Sequence, residues 1–321
     1  MIVLWRLTTA CNLACGFCAY DRRLPMPRIQ ADPVEVERIG VLLGAYRAAT
    51  GEDVLLSWLG GEPMLWPGVL PLSRRLRERH GLRVSVTTNG TTLRRPGFAM
   101  AMGTAFDEVT VSIDGLADTH ERLRGWRGGW ARLAEGIQQL ADQRANRPAM
   151  GLRANVVLMR DTLPEFQGLC DRLADWGIDE ITFNQLGGRD RPDFHRGQAL
   201  RVQDVLALRT IIPELVARMA SRGVRLSANE PYLERLAATA AGQAIAIEDC
   251  EARRPTVFID EHGRIASCSF TLESHGLPIE AVRTVADVAS LRGRLAQRRR
   301  TAPAEVCRDC PSTQVFAKFG T

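Results

Sequence analysis

The segment CNLACGFC carries Cys11, Cys15 and Cys18 at C-x3-C-x2-C spacing. Thiolates are ligands for soft metals and for iron–sulfur clusters. Three of them on one loop can wrap three corners of a cubane [4Fe–4S] cluster, leaving the fourth iron without a protein ligand. Such an open iron can take a chelating group from a substrate or cofactor. The same thiols, joined by a fourth ligand from elsewhere, would instead hold zinc. A second set, Cys250, Cys268, Cys307 and Cys310, ends on C-x2-C. Four cysteines can ligate another cluster fully or tie a structural zinc knot.

These residues must be positioned by the elements around them. Short apolar runs at 2–8, 53–59, 83–88, 108–113, 152–158 and 180–184 read as strands. Amphipathic stretches at 33–48, 68–78, 131–144, 163–176 and 202–220 alternate with them. This order argues for β/α units on a parallel sheet, whose chemistry gathers at the C-terminal ends of the strands. Six units predict an open, partial (β/α)6 barrel of the α/β class. After residue 240 the pattern changes. Two short strands, 256–259 and 264–267, flank Asp260-Glu261-His262-Gly263 as a β-hairpin, and a helix follows at 285–297. A boundary near 241–248 divides a barrel, 1–240, from a small appended domain, 241–321.

Composition narrows the function classes. The net charge of +5 is mild, and Arg298-Arg299-Arg300 is the only basic cluster. It reads as the solvated face of a late helix. A nucleic-acid groove would need denser charge with interleaved aromatics, so no nucleic-acid partner is expected. Lys318 is the only lysine, which all but removes a lysine Schiff base or lysine general base. No basic leader precedes the first apolar run, and no run reaches about eighteen apolar residues, so neither a signal peptide nor a membrane span is expected. A cytoplasmic location follows as the expectation. There the eight cysteines serve as metal ligands or core thiols rather than disulfides.

The cysteine loop resembles that of the radical S-adenosylmethionine (SAM) superfamily, including Phe17, the aromatic before its third cysteine. The resemblance extends to Gly60-Gly61-Glu62-Pro63 after the second strand, which is similar to the family's GGEP motif. Glycine there lets backbone approach a ligand, and Glu62 is expected to face the SAM ammonium. Ser112 and Asp114 in SIDG resemble a ribose-contacting segment, and Arg124 is expected to pair with the SAM carboxylate. Asn155 matches a SAM contact in some relatives, or is a barrel polar residue satisfied by its neighbours. Asn89 in TTNG lines the cavity or shapes the turn. His120 matches a position near SAM and suits support rather than catalysis.

The second cysteine set resembles the shortened "twitch" form of the SPASM domain, which implies an auxiliary [4Fe–4S] cluster on Cys250, Cys268, Cys307 and Cys310. Cys170, on a helix, reads as a buried small hydrophobe; the alternative is a hydrogen-atom donor to a substrate radical, and Cys250 is a minor candidate for that role. The resemblance implies a radical SAM enzyme, of oxidoreductase or isomerase type, that forms a 5′-deoxyadenosyl radical and abstracts hydrogen from a substrate C–H bond. The auxiliary cluster would support net oxidation, epimerisation or cross-linking. The expected substrate is a small polar metabolite such as a sugar or aminocyclitol, because the chain opens on its first strand without an N-terminal peptide-recognition domain. A maturase of a ribosomal peptide or protein is the alternative, and an iron–sulfur scaffold or electron carrier the rival of another class. Flavodoxin or ferredoxin would supply electrons. Asn184, Gln185, Asn229 and Glu230 are candidates to reach substrate. His195 reads as an exposed loop residue, or as a gate or base.

Overall fold

The computed structural model of the chain describes residues 1–93, 95–145, 147–253 and 256–316. Lys318 lies outside the described residues. In chain order the main elements begin with β1 (Ile2–Thr8), α1 (Pro33–Thr50), β2 (Leu55–Gly60), α2 (Val69–His80), β3 (Arg83–Thr88), α3 (Phe98–Ala105) and β4 (Glu108–Ser112). There follow α4 (Ala117–Arg124), α5 (Gly129–Asp142), β5 (Gly151–Leu158), α6 (Phe166–Asp175), β6 (Glu180–Gln185), α7 (Pro192–Gln198), α8 (Val202–Ser221), β7 (Arg225–Ser227) and α9 (Glu230–Ala240). The chain continues through α10 (Cys250–Arg253), β8 (Thr256–Ile259), β9 (Arg264–Ala266), α11 (Leu272–His275), β10 (Leu277–Pro278) and α12 (Val285–Thr301).

Strands β1 to β7 pair in parallel and in sequence order. The six expected strands are present, and the short β7 adds an edge beside β6. Side chains alternate between two faces, as the pleat requires. Val3, Trp5 and Leu7, and likewise Leu152, Ala154, Val156 and Leu158, are buried on the helix side. The opposite row is largely polar: Ser57, Ser85, Thr110, Asn155 and Thr182 line a lumen of about 620 Å³. At the N-terminal ends of the strands, charges alternate across the sheet. Arg83 pairs with Asp53 at 3.1 Å and with Glu108, Arg153 bridges Glu108 (3.4 Å) and Glu180 (2.7 Å), and Arg225 closes on Glu180 at 2.7 Å.

The hairpin does not form a sheet of its own. Strand β8 pairs in parallel with β1, Ile2 opposite Thr256 through Trp5 opposite Ile259, and β9 and β10 extend the same sheet antiparallel. The sheet is therefore continuous across the segment between α9 and α10, where the sequence pattern changes. Helix α12 packs on α1. Asp32 caps α1 through a 2.9 Å bond from the Val34 N–H, and a Thr284–Asp287 capping box starts α12. Arg38 of α1 donates to the carbonyls of Val282 (2.6 Å) and Ile279 (3.1 Å), and Arg292 of α12 pairs with Glu52 at 3.2 Å. Among the described residues no helix is long and apolar enough to cross a membrane.

Candidate functional site

The loop after β1 is held by its own polar groups. The Arg28 guanidinium donates to the carbonyls of Thr9 (3.1 Å), Tyr20 (3.4 Å), Asp21 (2.8 Å) and Leu24 (3.1 Å), drawing the segment around itself. Asp21 is buried and accepts from Arg23 at 2.6 Å and Arg191 at 3.4 Å. The Arg23 hydrogen bond is the main cause that lowers its carboxyl to about 2. Arg191 also donates to the Cys18 carbonyl, so the loop before α7 straps onto the cysteine loop. The rings of Phe194, on α7, and Phe17 lie 6.1 Å apart.

Backbone proximity explains the glycines of GGEP. The Gly61 N–H donates to the Thr8 carbonyl at 2.7 Å and the Glu62 N–H to that of Ala10 at 2.8 Å. A Cβ on Gly61 would lie 2.3 Å from the Ala10 oxygen, and one on Gly60 would lie 2.7 Å from that of Thr8. On the other side, the Ala14 N–H donates to the Arg124 carbonyl at 3.2 Å.

Cys11, Cys15 and Cys18 share one cavity of about 360 Å³ with Phe17, Gly60, Gly61, Ser112, Arg124 and Asn155. Burial pushes all three thiols up, Cys15 to about 12. They therefore stay protonated until a metal replaces the proton. N–H groups already point at two of the sulfurs: Leu13 at 3.5 Å and Asn89 at 3.8 Å from Cys11, Tyr20 at 3.4 Å from Cys18. Such bonds tune cluster potential. Among the described residues no three His, Cys, Asp or Glu are arranged to hold a metal ion. A cubane asks for something different, because each thiolate meets a different iron. Three free thiols on one cavity wall, two of them with N–H support, fit that group.

Two expected SAM contacts are placed elsewhere. Glu62 is sealed behind the wall of the cavity rather than facing it. Its carboxylate accepts from the Thr88 hydroxyl (2.7 Å), the Asn89 N–H (2.7 Å) and the Met64 N–H (3.1 Å), pinning β2 to β3. Burial pushes it up to about 7, against the pull of those donors. Asp114 is also fully buried, since it serves as the counter-ion of Arg124. Its Oδ2 accepts from Arg124 Nε (3.0 Å) and Nη2 (2.6 Å), and its Oδ1 from the Val157 N–H (2.7 Å). Burial would lower the Arg124 pKa, but Asp114 outweighs it and holds the guanidinium charged. His120 supports this pair: its Nδ1 accepts from the Asp114 N–H at 3.2 Å. Among the described residues its Nε2 has no hydrogen-bond partner, and the ring lies 5.8 Å from Trp130 and 6.5 Å from Trp126.

Asn89 does both things expected of it: it lines the cavity, and its Oδ1 accepts from the Thr91 N–H at 3.0 Å in the turn. Asn155 lines both the cavity and the lumen, and its Oδ1 accepts from Thr182 (3.2 Å) and Asn184 (3.0 Å). Asn184 lines the lumen. Gln185 turns to Thr239 at 3.1 Å. Asn229 precedes α9 and Glu230 pairs with Arg209 at the surface, so neither lines the cavity. His195 packs against Gly188, outside the cavity. Cys170 is fully buried on α6.

Cys250, Cys268, Cys307 and Cys310 line a second cavity. It is assembled across distance: the Cys310 N–H donates to the Ile245 carbonyl at 2.8 Å, and Asp309 accepts from Arg235 at 2.5 Å and from the Ile245 N–H at 3.1 Å. Arg299 corrects the reading of the basic run. Its neighbours Arg298 and Arg300 are exposed, but Arg299 is buried and lines the cysteine cavity. Ser269, next to Cys268, lines the first cavity, so one turn of chain faces both.

Residues 5–173 match the radical SAM superfamily. The chain is 28% identical over 223 residues to the pre-heme d1 synthase of Dinoroseobacter shibae, covering 65% of this chain and 51% of that protein. It is 31% identical over 144 residues to an AdoMet-dependent heme synthase of Methanosarcina barkeri, covering 43% and 38%. The chain thus spans about half the length, or less, of these relatives. In structure it resembles Streptococcus suis SuiB bound to S-adenosylmethionine (TM-score 0.66, 16% identity, 97% of this chain and 72% of that one). It also resembles native anSMEcpe with bound AdoMet (TM-score 0.65, 14% identity, 97% and 88%). These likenesses show a shared fold, a partial TIM-like barrel.

Proposed function

The chain belongs to the radical SAM superfamily, and from that premise we propose that it cleaves SAM reductively and acts on a polar substrate held at the mouth of the barrel. The observation that carries this reading is the single cavity whose wall brings together the three loop cysteines, the GGEP glycines, Ser112, Arg124 and Asn155. Cys11, Cys15 and Cys18 would hold a [4Fe–4S] cluster. Arg124, with one edge fixed by Asp114, would offer its other edge to the SAM carboxylate. The Gly60–Gly61 backbone, rather than Glu62, would meet the ammonium. Ser112 and Asn155 would face the ribose, and Phe17 would flank the bound cofactor. When bound, cluster and SAM supply a 5′-deoxyadenosyl radical that takes a hydrogen atom from a substrate C–H bond.

We assign the auxiliary [4Fe–4S] cluster to Cys250, Cys268, Cys307 and Cys310, in a SPASM/twitch-like unit spanning 241–321, where it supports net oxidation, epimerisation or cross-linking. A flavodoxin- or ferredoxin-type donor would supply electrons. The hydroxyl and amide lining of the lumen supports a small polar metabolite, such as a sugar or aminocyclitol. The relatives named for heme synthesis favour a second reading, a tetrapyrrole substrate. The test is anaerobic reconstitution, counting of iron and sulfide, and a search for 5′-deoxyadenosine after adding SAM and dithionite. About eight irons per chain with deoxyadenosine released is the expected result. Zinc in their place, with no deoxyadenosine, would overturn the reading.

A further inference from the structure

Arg6 stands on the inner row of β1 in the wall of the cysteine cavity. Its Nε donates to the carboxylate of Glu261, in the turn between β8 and β9. Its guanidinium carbon lies 5.6 Å from the ring centroids of both Tyr20 and Phe258, which line the same cavity. One edge of the fork is thus pinned and its faces are flanked by aromatic rings. Among the described residues, nothing accepts from its two Nη groups, and nothing bonds the Tyr20 hydroxyl. The Tyr20 phenol brings an O–H that can donate a hydrogen bond. Two unengaged donors therefore meet one cavity from the side of the appended hairpin.

We propose that Arg6 and Tyr20 form a carboxylate subsite for the substrate, with Glu261 orienting the guanidinium. A planar fork with a free edge matches the two oxygens of a carboxylate. Its charge is already half answered by Glu261, which suits a singly charged group better than a phosphate dianion. Because Glu261 belongs to the hairpin and Arg6 to β1, the subsite exists only where barrel and appended region meet. The substrate class that follows is a polar molecule carrying at least one carboxylate. This rests on the function proposed above for the same cavity.

The test is calorimetric titration of the reconstituted full chain, loaded with SAM and without reductant, at constant ionic strength. The probes are succinate, its neutral analogue succinamide, and inorganic phosphate. Saturable binding of succinate, none of succinamide and weaker binding of phosphate is the expected pattern. Arg6→Gln should weaken succinate about tenfold or more while SAM affinity stays unchanged. Glu261→Gln, which frees the guanidinium of its competing carboxylate, should bind succinate as well as the unaltered chain or better. Unchanged succinate binding in Arg6→Gln, or no saturable binding to the unaltered chain, would overturn the proposal. So would equal losses in both variants, which mark Arg6 and Glu261 as a purely structural pair. A preference for phosphate would overturn the carboxylate assignment. Failure to release deoxyadenosine on reduction sinks the function reading instead, and is measured separately.

Discussion

The two cysteine sets are built in opposite ways. The first occupies one loop, from Cys11 to Cys18, and its geometry comes from near neighbours: Arg28 gathers local carbonyls, and N–H groups two residues on reach Cys11 and Cys18. The second runs from Cys250 to Cys310 and is brought together by the hairpin, α12 and the pairing of residue 245 with residue 310. The first has three thiols that share their cavity with a buried arginine. The second has four thiols and Arg299. A local loop suits a site that must stay open to an exchanging ligand. Four thiols from distant segments are gathered instead by tertiary contacts.

Separate loading of the two sets gives the largest expected effect. Cys15→Ala should abolish deoxyadenosine release and reduce iron from about eight to about four per chain. Cys307→Ala should lose a similar amount of iron yet keep deoxyadenosine release. Loss of all iron in either variant would break the distinction. Next comes Arg124→Met, which removes a charge-assisted fork and leaves Asp114 buried without its counter-ion. SAM affinity should fall about tenfold or more by calorimetry, with iron bound at Cys250, Cys268, Cys307 and Cys310 unchanged.

Gly61→Ala probes the close approach beside the open site. Its Cβ would fall 2.3 Å from the Ala10 oxygen. Stability should drop by about 1–3 kcal/mol in urea unfolding of the metal-free chain, and iron loading at the first site should fall while the second keeps its iron. A pH effect of similar size concerns Glu62, whose folded value of about 7 stands above the ordinary 4.5. Folding therefore favours the protonated acid. That contribution is complete below about pH 4.5 and is lost as pH rises through about 7, on the order of 3 kcal/mol at most. Urea unfolding at pH 5 and 7.5 should show the decline. Glu62→Gln, less stable because its amide meets the Asn89 N–H, should show a flatter profile.

The open site was legible because its parts are local or repeat with a period. CNLACGFC and GGEP are contiguous, and the strands that carry them alternate with helices in a regular order. What was not legible depends on long reach. Glu62 and Asp114 were expected to face the ligand, but each is turned inward by partners on other strands and helices. Nothing in the sequence says that Arg28 will bind four carbonyls or that Arg6 will meet Glu261. Strand β7 has only three residues, RLS, too few to carry a period. Arg299 hides within a run of three arginines, and only the rotation of α12 singles it out.

The pairing of β8 with β1 has a consequence for how this chain behaves when cut. The segment IVLWRLT is flanked by strands on both sides, so its amides sit in the middle of a ladder. Removal of everything after α9 would turn it into an edge: long, apolar and carrying one charge. Such an edge is a template for strand addition between molecules. The barrel produced alone should therefore aggregate, and the appended region acts as the cover that keeps β1 from finding another copy of itself.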